Sequence, residues 1–432
     1  MSFLKKCAVW SALNSLALVA AYPQAPSPTP SPVPADQTSP TAPTTPAAAP
    51  AAAAAPTWSI GGIDFSGTVD GYFTFNSNHP DAPNNFNTLY NFNDKADSFD
   101  LSMAKITINH DPDPVGAHID FGFGRTFDDL HAADPDSGEK YLEQAFVSIK
   151  PPKWKGFEAD FGQFVTTAGA EVIEAKDNWN YSRSLLFTNA IPYFHFGLRT
   201  TMPVTKAFTA GVQVVNGWNN IEDNNSGKTI GLTGAYVKTK YSWFGNYYVG
   251  PENTSTNKGF RNLLDTTLLL TPPGKLNAYL NYDYGQNRNA AQVGGGGEEA
   301  VLSPGVRPLM FNNFGLLRDV TRLKPADNSL PYITTDLTRW QGVAIAAHYQ
   351  ATPTIAITPR GEFYTTNTGP SELSVGEITL TGEYKVMTGV LARLEYRGDF
   401  ADAPIYLKGS LGEAKQQNTF TVALVGFFGP KR

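Results

Sequence analysis

The sequence predicts an all-β chain: a transmembrane, antiparallel, up-and-down β-barrel of about sixteen strands, with short turns at one end and long loops at the other. Three observations predict it. Apolar and polar residues alternate with a period of two through most of residues 57–432, as in strands with one apolar and one polar face. The segments that alternate are joined by connections that are long and short in turn. Finally, no stretch of residues 58–432 approaches the roughly 18 apolar residues of a spanning helix. Composition agrees. Charged residues make up 17% of the 432-residue chain, below the roughly 25% of an average soluble domain. Aromatics reach 12%, while the mean hydropathy is only −0.26, as expected when alternate residues alone must be apolar.

The first element is an export leader. Residues 1–21 carry a basic start, Lys5 and Lys6, then an apolar run from Cys7 that closes on Val19, Ala20 and Ala21. That order is a signal peptide, and the run is too short for a membrane anchor. Cys7 is the single cysteine, so the processed chain would have neither disulfides nor thiolate metal sites, and no cofactor is expected. Residues 22–56 are nearly all Pro, Ala, Ser and Thr, with little to bury, and read as an extended disordered linker. A tether from this leader to the cell wall is the sharper alternative.

The barrel follows over residues 57–432. In its first strand Ile63, Phe65, Val69, Phe73 and Phe75 share one parity, and Asp64, Ser66, Thr68, Asp70 and Thr74 the other. Strands are expected at 63–76, 97–109, 115–127, 140–150, 157–165, 192–202, 206–218 and 228–238. They continue at 241–249, 262–271, 275–286, 340–350, 354–366, 375–386, 389–400 and 418–428. Long connections fall at 77–96, 128–139, 166–191, 287–339 and 401–417. Short ones carry Asp111-Pro112-Asp113-Pro114, Pro151-Pro152, Met202-Pro203, Pro272-Pro273-Gly274 and Ala351-Thr352-Pro353. A soluble sandwich also alternates, but it has no reason to lengthen every second connection or to place Arg393, Glu395, Arg397 and Asp399 in succession on one face. Aromatics near strand ends, Trp243, Tyr247, Tyr248, Tyr282 and Tyr284, suit membrane interfaces.

The stretch GQFVTTAGAEVIEAKDNWNYSRSLLF, residues 162–187, with Pro192, His195, Gly197 and Arg199 beyond it, resembles the OmpL-like outer-membrane β-barrel porins. PRGEFYTTNTG (359–369), ARLEYRGDF (392–400) and NTFTVALVGFF (418–428) continue the resemblance in the same order. It implies an outer-membrane porin and supplies no substrate. The sequence departs from the pattern in its enlarged loop 287–339, in its added leader, and in the Gly-Pro-Lys-Arg that follows Phe428.

A barrel of about sixteen strands leaves room for an aqueous channel. The candidates for its wall are His195, Arg199, Arg360, Glu362, Arg393, Glu395, Arg397 and Asp399, although pairs such as Arg360 with Glu362 or Arg393 with Glu395 could simply stiffen it. In strand order, 166–191 is the third external loop, and it carries Glu171, Glu174, Asp177 and Arg183. Bent inward, its acids would face a basic wall including Arg199 and Arg360 and set ion preference. The alternative is an ordinary surface loop held by Trp179 and Tyr181. Catalysis is weakly supported: Ser182, Ser184 and His195 lack a third orienting residue. The other histidines have no metal-ligand spacing, and Gly294–Gly297 does not follow a strand into a helix. The partners expected are outer-membrane lipid, small hydrophilic solutes or ions, and the barrel assembly machinery, which would read strand 418–428. The acidic balance, net charge −6, argues against nucleic acid, and a homo-oligomer stays open. A diffusion channel and a mainly structural barrel tethered to the cell wall are the two functional classes that survive.

Overall fold

The computed structural model describes residues 58–81, 85–132, 138–292, 332–368 and 371–430. The expected signal peptide and linker, and the centre of the enlarged loop 287–339, lie outside the described residues. Sixteen antiparallel strands close into one barrel. The first eight are Ile63–Asn76 (β1), Ser98–His110 (β2), Val115–Phe123 (β3), Leu142–Ile149 (β4), Glu158–Val165 (β5), Phe194–Pro203 (β6), Phe208–Val215 (β7) and Thr229–Val237 (β8). The rest are Tyr241–Pro251 (β9), Phe260–Leu270 (β10), Leu276–Gln292 (β11), Tyr332–Gln350 (β12), Ile355–Thr368 (β13), Ser371–Met387 (β14), Val390–Ala401 (β15) and Gln416–Phe428 (β16). Each strand pairs with its neighbours in sequence, and β16 pairs with β1 from Thr419 opposite Asn76 to Phe428 opposite Gly67. Closure leaves no open edge, which a membrane core requires of any sheet.

The alternation resolves as an inside-out protein. Val69, Phe121, Phe161, Val212, Leu264, Ile345, Leu380 and Val422 are exposed on the outer face, whereas Thr68, Asp70, Asp265, Glu377, Arg397 and Thr421 are buried inside. In water so continuous an apolar surface would be a liability; in lipid it is the solvated face. Trp58, Trp154, Tyr241, Tyr349, Tyr384 and Phe428 are exposed at the short-turn rim, and Phe99, Phe123, Tyr247 and Phe260 towards the long-loop rim. Amphipathic rings favour those two depths. Tyr248 is an exception to the expected pattern: it faces inward and is fully buried.

All sixteen expected strands are present in order, and the differences lie at their ends. The third stops at Phe123, because Gly124 takes a left-handed φ of 116° and starts a short helix, α1, Arg125–Leu130. Phe127 continues the apolar parity of the strand, but in the helix it turns inward with Leu130. β13 and β14 are separated by only two residues, so not every second connection is long. At 17 and 19 residues, β11 and β12 outrun the 9–11 residues or so that cross a membrane, and with them the hairpin extends past the rim. The connection 402–415 contains a small hairpin, Tyr406–Lys408 with Gly412–Ala414.

Several long connections fold into the barrel. Phe92 from 77–97, Phe127 and Leu130 of α1, Ile173, Leu185, Leu186, Phe187 and Tyr193 from 166–193 and Tyr406 from the last connection are buried in one apolar cluster with Tyr248, Leu263, Tyr279 and Trp340 of the wall. The rings of Phe92, Phe187 and Tyr193 lie 5.4–5.9 Å apart. The barrel therefore has two apolar surfaces, one facing lipid and one built by its loops.

Candidate channel constriction

The charges of the site come from β13, β14 and β15, where period two places Arg360 and Glu362, Glu377, and Arg393, Glu395, Arg397 and Asp399 on the inner face. Arg360 Nε donates to Glu377 at 2.8 Å and lies 3.0 Å from Glu362. Its Nη1 donates to Glu171 of the loop and to the Ser182 carbonyl, both at 2.7 Å. Arg397 Nη2 pairs with Asp399 at 2.7 Å, its Nε lies 3.3 Å from Glu377, and its Nη1 donates to the Arg183 carbonyl at 2.8 Å. The expected Arg393–Glu395 pair is replaced by two other arrangements. Arg393 pairs with Glu383 at 2.6 Å, while Glu395 accepts the backbone N–H groups of Tyr181 at 2.6 Å and Ser182 at 2.9 Å. The loop, absent from any strand-by-strand reading of pairs, has claimed Glu395.

Residues 166–193 thus lie inside the barrel, bound to several parts of its wall. Gly169 N–H donates to Asp265 on β10 at 3.0 Å, and the Tyr181 hydroxyl donates to Asp70 on β1 at 2.9 Å. Trp179 stacks on Tyr279 at 5.3 Å and on His348 at 5.4 Å. Trp179 and Tyr181 do hold the loop, but to the inner wall rather than at the surface. A short helix, α2, Leu185–Asn189, follows, capped by the Ser184 hydroxyl accepting from Phe187 N–H at 2.9 Å. Ser184 N–H in turn donates to Glu171 at 2.6 Å, and Leu186 N–H to Glu362 at 3.1 Å. Carboxylates at a helix start satisfy donors that have no partner within the helix. The buried Arg183 guanidinium donates to the carbonyls of Val172, Ile173 and Tyr181 and so folds the loop on itself. Burial lowers its pKa from the ordinary value, although Glu171 and Asp70 oppose the shift.

Glu174 pairs with Lys105 of β2, on the other side of the closing seam from Arg360. Burial pushes its carboxyl up, yet Lys105, with Lys176, overcomes that and leaves the group below its ordinary value. Asp177 pairs with Lys176 next to it in sequence, and burial lifts its carboxyl above the ordinary value. The oxygens of Asp120, Glu143 and Glu174 lie within 4.8 Å of one another, as metal ligands would. Lys105 Nζ sits among them, 3.5 Å from Asp120 and 3.0 Å from Glu143, so an ammonium already supplies the positive charge.

Arg199 and His195 belong to different surroundings. Arg199 pairs with Asp160 on the adjacent strand at 2.6 Å and lies over the rings of Phe146 and Phe164, half-buried; among the described residues it forms no ion pair with Glu171, Glu174 or Asp177. His195 is fully buried, shares a 2.9 Å hydrogen bond with the Gly217 carbonyl and stacks on Tyr248. Among the described residues neither Ser182 nor Ser184 is hydrogen bonded to His195; Ser182 Oγ meets Arg360, and Ser184 Oγ caps α2. Sequence reasoning missed Lys105, Asp70, Glu377 and Glu383. Their signal was available in each case: a charge in the polar parity of a strand interior. No curated protein matches the chain.

Solved structures share its fold. They include the trimer form of OmpT, an outer membrane protein of Vibrio cholerae (12% identity, 85% of this chain and 99% of that chain, TM-score 0.51). OmpF of Salmonella typhi, in complex with daunomycin, aligns at 14% identity over 85% and 97% of the two chains with a TM-score of 0.51. The outer membrane channel DcaP of Acinetobacter baumannii aligns at 12% identity over 85% and 97%, with a TM-score of 0.50. At such identities the likeness is one of fold. The family described as "Putative beta-barrel porin-2, OmpL-like" matches residues 62–428, nearly the whole barrel from β1 to the end of β16, and the chain belongs to that family.

Proposed function

We propose that the protein is an outer-membrane porin for passive diffusion of small hydrophilic solutes or ions, with loop 166–193 as its constriction. The observation that carries this reading is the docking of that loop inside a sixteen-stranded barrel, with Glu171 on Arg360 and Glu174 on Lys105. An ordinary structural barrel needs no internal loop held by ion pairs at separate walls. Glu171, Glu174, Asp177, Arg183, Arg360, Glu362, Arg393, Glu395, Arg397 and Asp399 set the loop's position, and with it the width of the passage. The half-buried Arg199 meets solutes on the short-turn side, while His195 supports the wall. Direct pairing takes the place of a field across open water, so these charges govern conductance first and ion preference second. Residues 1–21 would export the chain, and strand β16, ending on Phe428, would present it for assembly. The trimer form in which OmpT of Vibrio cholerae was solved supports a homo-oligomer as part of this reading.

Planar-bilayer recording tests the reading. The wild-type protein is expected to conduct, and a Glu171→Gln, Glu174→Gln, Asp177→Asn variant to conduct more. A protein that inserts without ever conducting would favour the structural barrel tethered by its leader. Conductance and selectivity both unchanged in the variant would remove the loop from the constriction.

A further inference from the structure

Asp265 on β10 stands directly opposite Asp283 on β11, and Thr267 opposite Asn281, in four adjacent inward positions. All four are buried. Most other buried carboxylates of the interior have cations or backbone donors: Arg360 serves Glu171, Glu362 and Glu377, Lys105 serves Asp120, Glu143 and Glu174, and two N–H groups serve Glu395, while Asp70 has the Tyr181 hydroxyl. Among the described residues neither Asp265 nor Asp283 has an ion pair. Asp265 accepts from Gly169 N–H and Asn281 Nδ2, both at 3.0 Å, and from Asn246 Nδ2 at 2.7 Å. Asp283 Oδ1 receives the same Asn281 amide at 3.3 Å. Asp283 Oδ2 and the Thr267 hydroxyl, both buried, have no hydrogen-bond partner.

Like charges directly opposite in a sheet repel, and a buried lone pair without a donor is costly. A cation seated between the two carboxylates relieves both faults at once, and a proton shared by them is the rival remedy. We propose that Asp265, Asp283 and the Thr267 hydroxyl bind a hard divalent cation of the calcium type. The donors are all oxygen, with no imidazole or thiolate to favour zinc or copper. Two carboxylates and a hydroxyl on a twisted sheet give an irregular set that calcium accepts and completes with water, whereas magnesium demands a near-ideal octahedron. The Lys105 cluster shows the alternative solution in the same barrel, where an ammonium fills the acidic centre. The cation has a mechanical consequence: Asp265 also holds Gly169 N–H at the entry of loop 166–193, so it would fix the root of that loop. This inference does not depend on the channel being open.

The experiment is calorimetric titration of the full-length, detergent-folded barrel with calcium chloride, with its thermal midpoint followed in parallel. One saturable calcium per chain and a raised midpoint are expected. Asp283→Asn should weaken binding about tenfold or more, since affinity at such sites follows ligand charge, and Thr267→Val less. Asp120→Asn, in the Lys105 cluster, should bind calcium as wild type does. Absence of saturable uptake, or uptake unchanged in folded Asp283→Asn, overturns the proposal. If that variant does not fold, unchanged binding by Thr267→Val overturns it instead. A protonated-carboxyl infrared band that persists in excess calcium and disappears in Asp283→Asn would show a shared proton, and also overturns it.

Discussion

Arg360 is the residue on which the interior charges converge. Its guanidinium serves Glu171, Glu362 and Glu377, and it is fully buried. Replacing it by alanine would leave three carboxylates together without that cation. Arg360→Ala should cost about 3–5 kcal/mol, the range for breaking a buried ion pair. Arg199, its side chain 20% exposed and paired with the single carboxylate of Asp160, should cost less than Arg360 does. Urea unfolding of the two variants checks the contrast, and equal losses would contradict it. The loop carboxylates make docking depend on pH. The depressed Glu174 value means its contribution is full above the ordinary carboxylate range, near pH ~4.3, and is lost as pH falls through its lower docked value. Asp177 has the opposite sign: its raised value makes it a penalty at neutral pH that acidification through that value removes. Conductance is expected to fall on mild acidification and rise again below the ordinary carboxylate range. Asp177→Asn should abolish the fall, and Glu174→Gln the rise. A flat pH profile in the wild type would refute both assignments.

At the scale of elements, the loop fits because the wall leaves it room. β12 presents Gly342, Ala344 and Ala346 inward, and α2 packs on β12 and β13. A Cβ at Gly342 would lie 2.4 Å from Leu186 Cδ2 and 2.8 Å from the Phe363 carbonyl. Gly342→Val should therefore displace α2 and raise conductance severalfold, with the barrel still folded; single-channel recording reads this, and wild-type currents would count against it. Strand existence was legible in the sequence because period two is local, visible in Ile63 to Phe75 without knowledge of any neighbour. The end of β3 was not legible, since Phe121, Phe123 and Phe127 share one parity and Gly124 alone breaks the strand. The wall residues were named, but Arg393 and Glu395 were given to each other. Their true partners, Glu383 and the Tyr181 and Ser182 amides, come from a different strand and from a loop some 200 positions away.

For the whole molecule, the outward apolar face ties stability to lipid. A charge at mid-height on that face should destabilise the barrel where an inward change of the same size would not meet lipid at all. Leu394→Arg, in the middle of β15, is expected to cost about 2–4 kcal/mol at the bilayer midplane, as measured by unfolding from vesicles. A variant as stable as wild type would mean that this face is not in the hydrocarbon. Closure matters at the same scale. Phe428 packs against Trp58 with ring centroids 4.8 Å apart, beside Gly67, where an added Cβ would lie 2.6 Å from the Phe428 ring. The first and last strands of the barrel are thereby joined at one rim.

By itself the sequence determined the barrel: its strand number, its inside-out polarity and the unequal connections at its two ends. Those properties follow from each strand's own alternation and from the prolines and glycines that bound it. Tertiary structure decided how the interior is filled. Connections that read as external loops carry Phe92, Leu186 and Tyr406, and the end of an expected strand carries Phe127; their apolar partners, such as Tyr248, Leu263, Tyr279 and Trp340, lie on wall strands that only the closed barrel brings to them. The charges followed the same rule. A strand's parity states that Asp265 or Glu395 points inward, but the cation, amide or neighbouring carboxylate it meets there is set by contacts far apart in the chain.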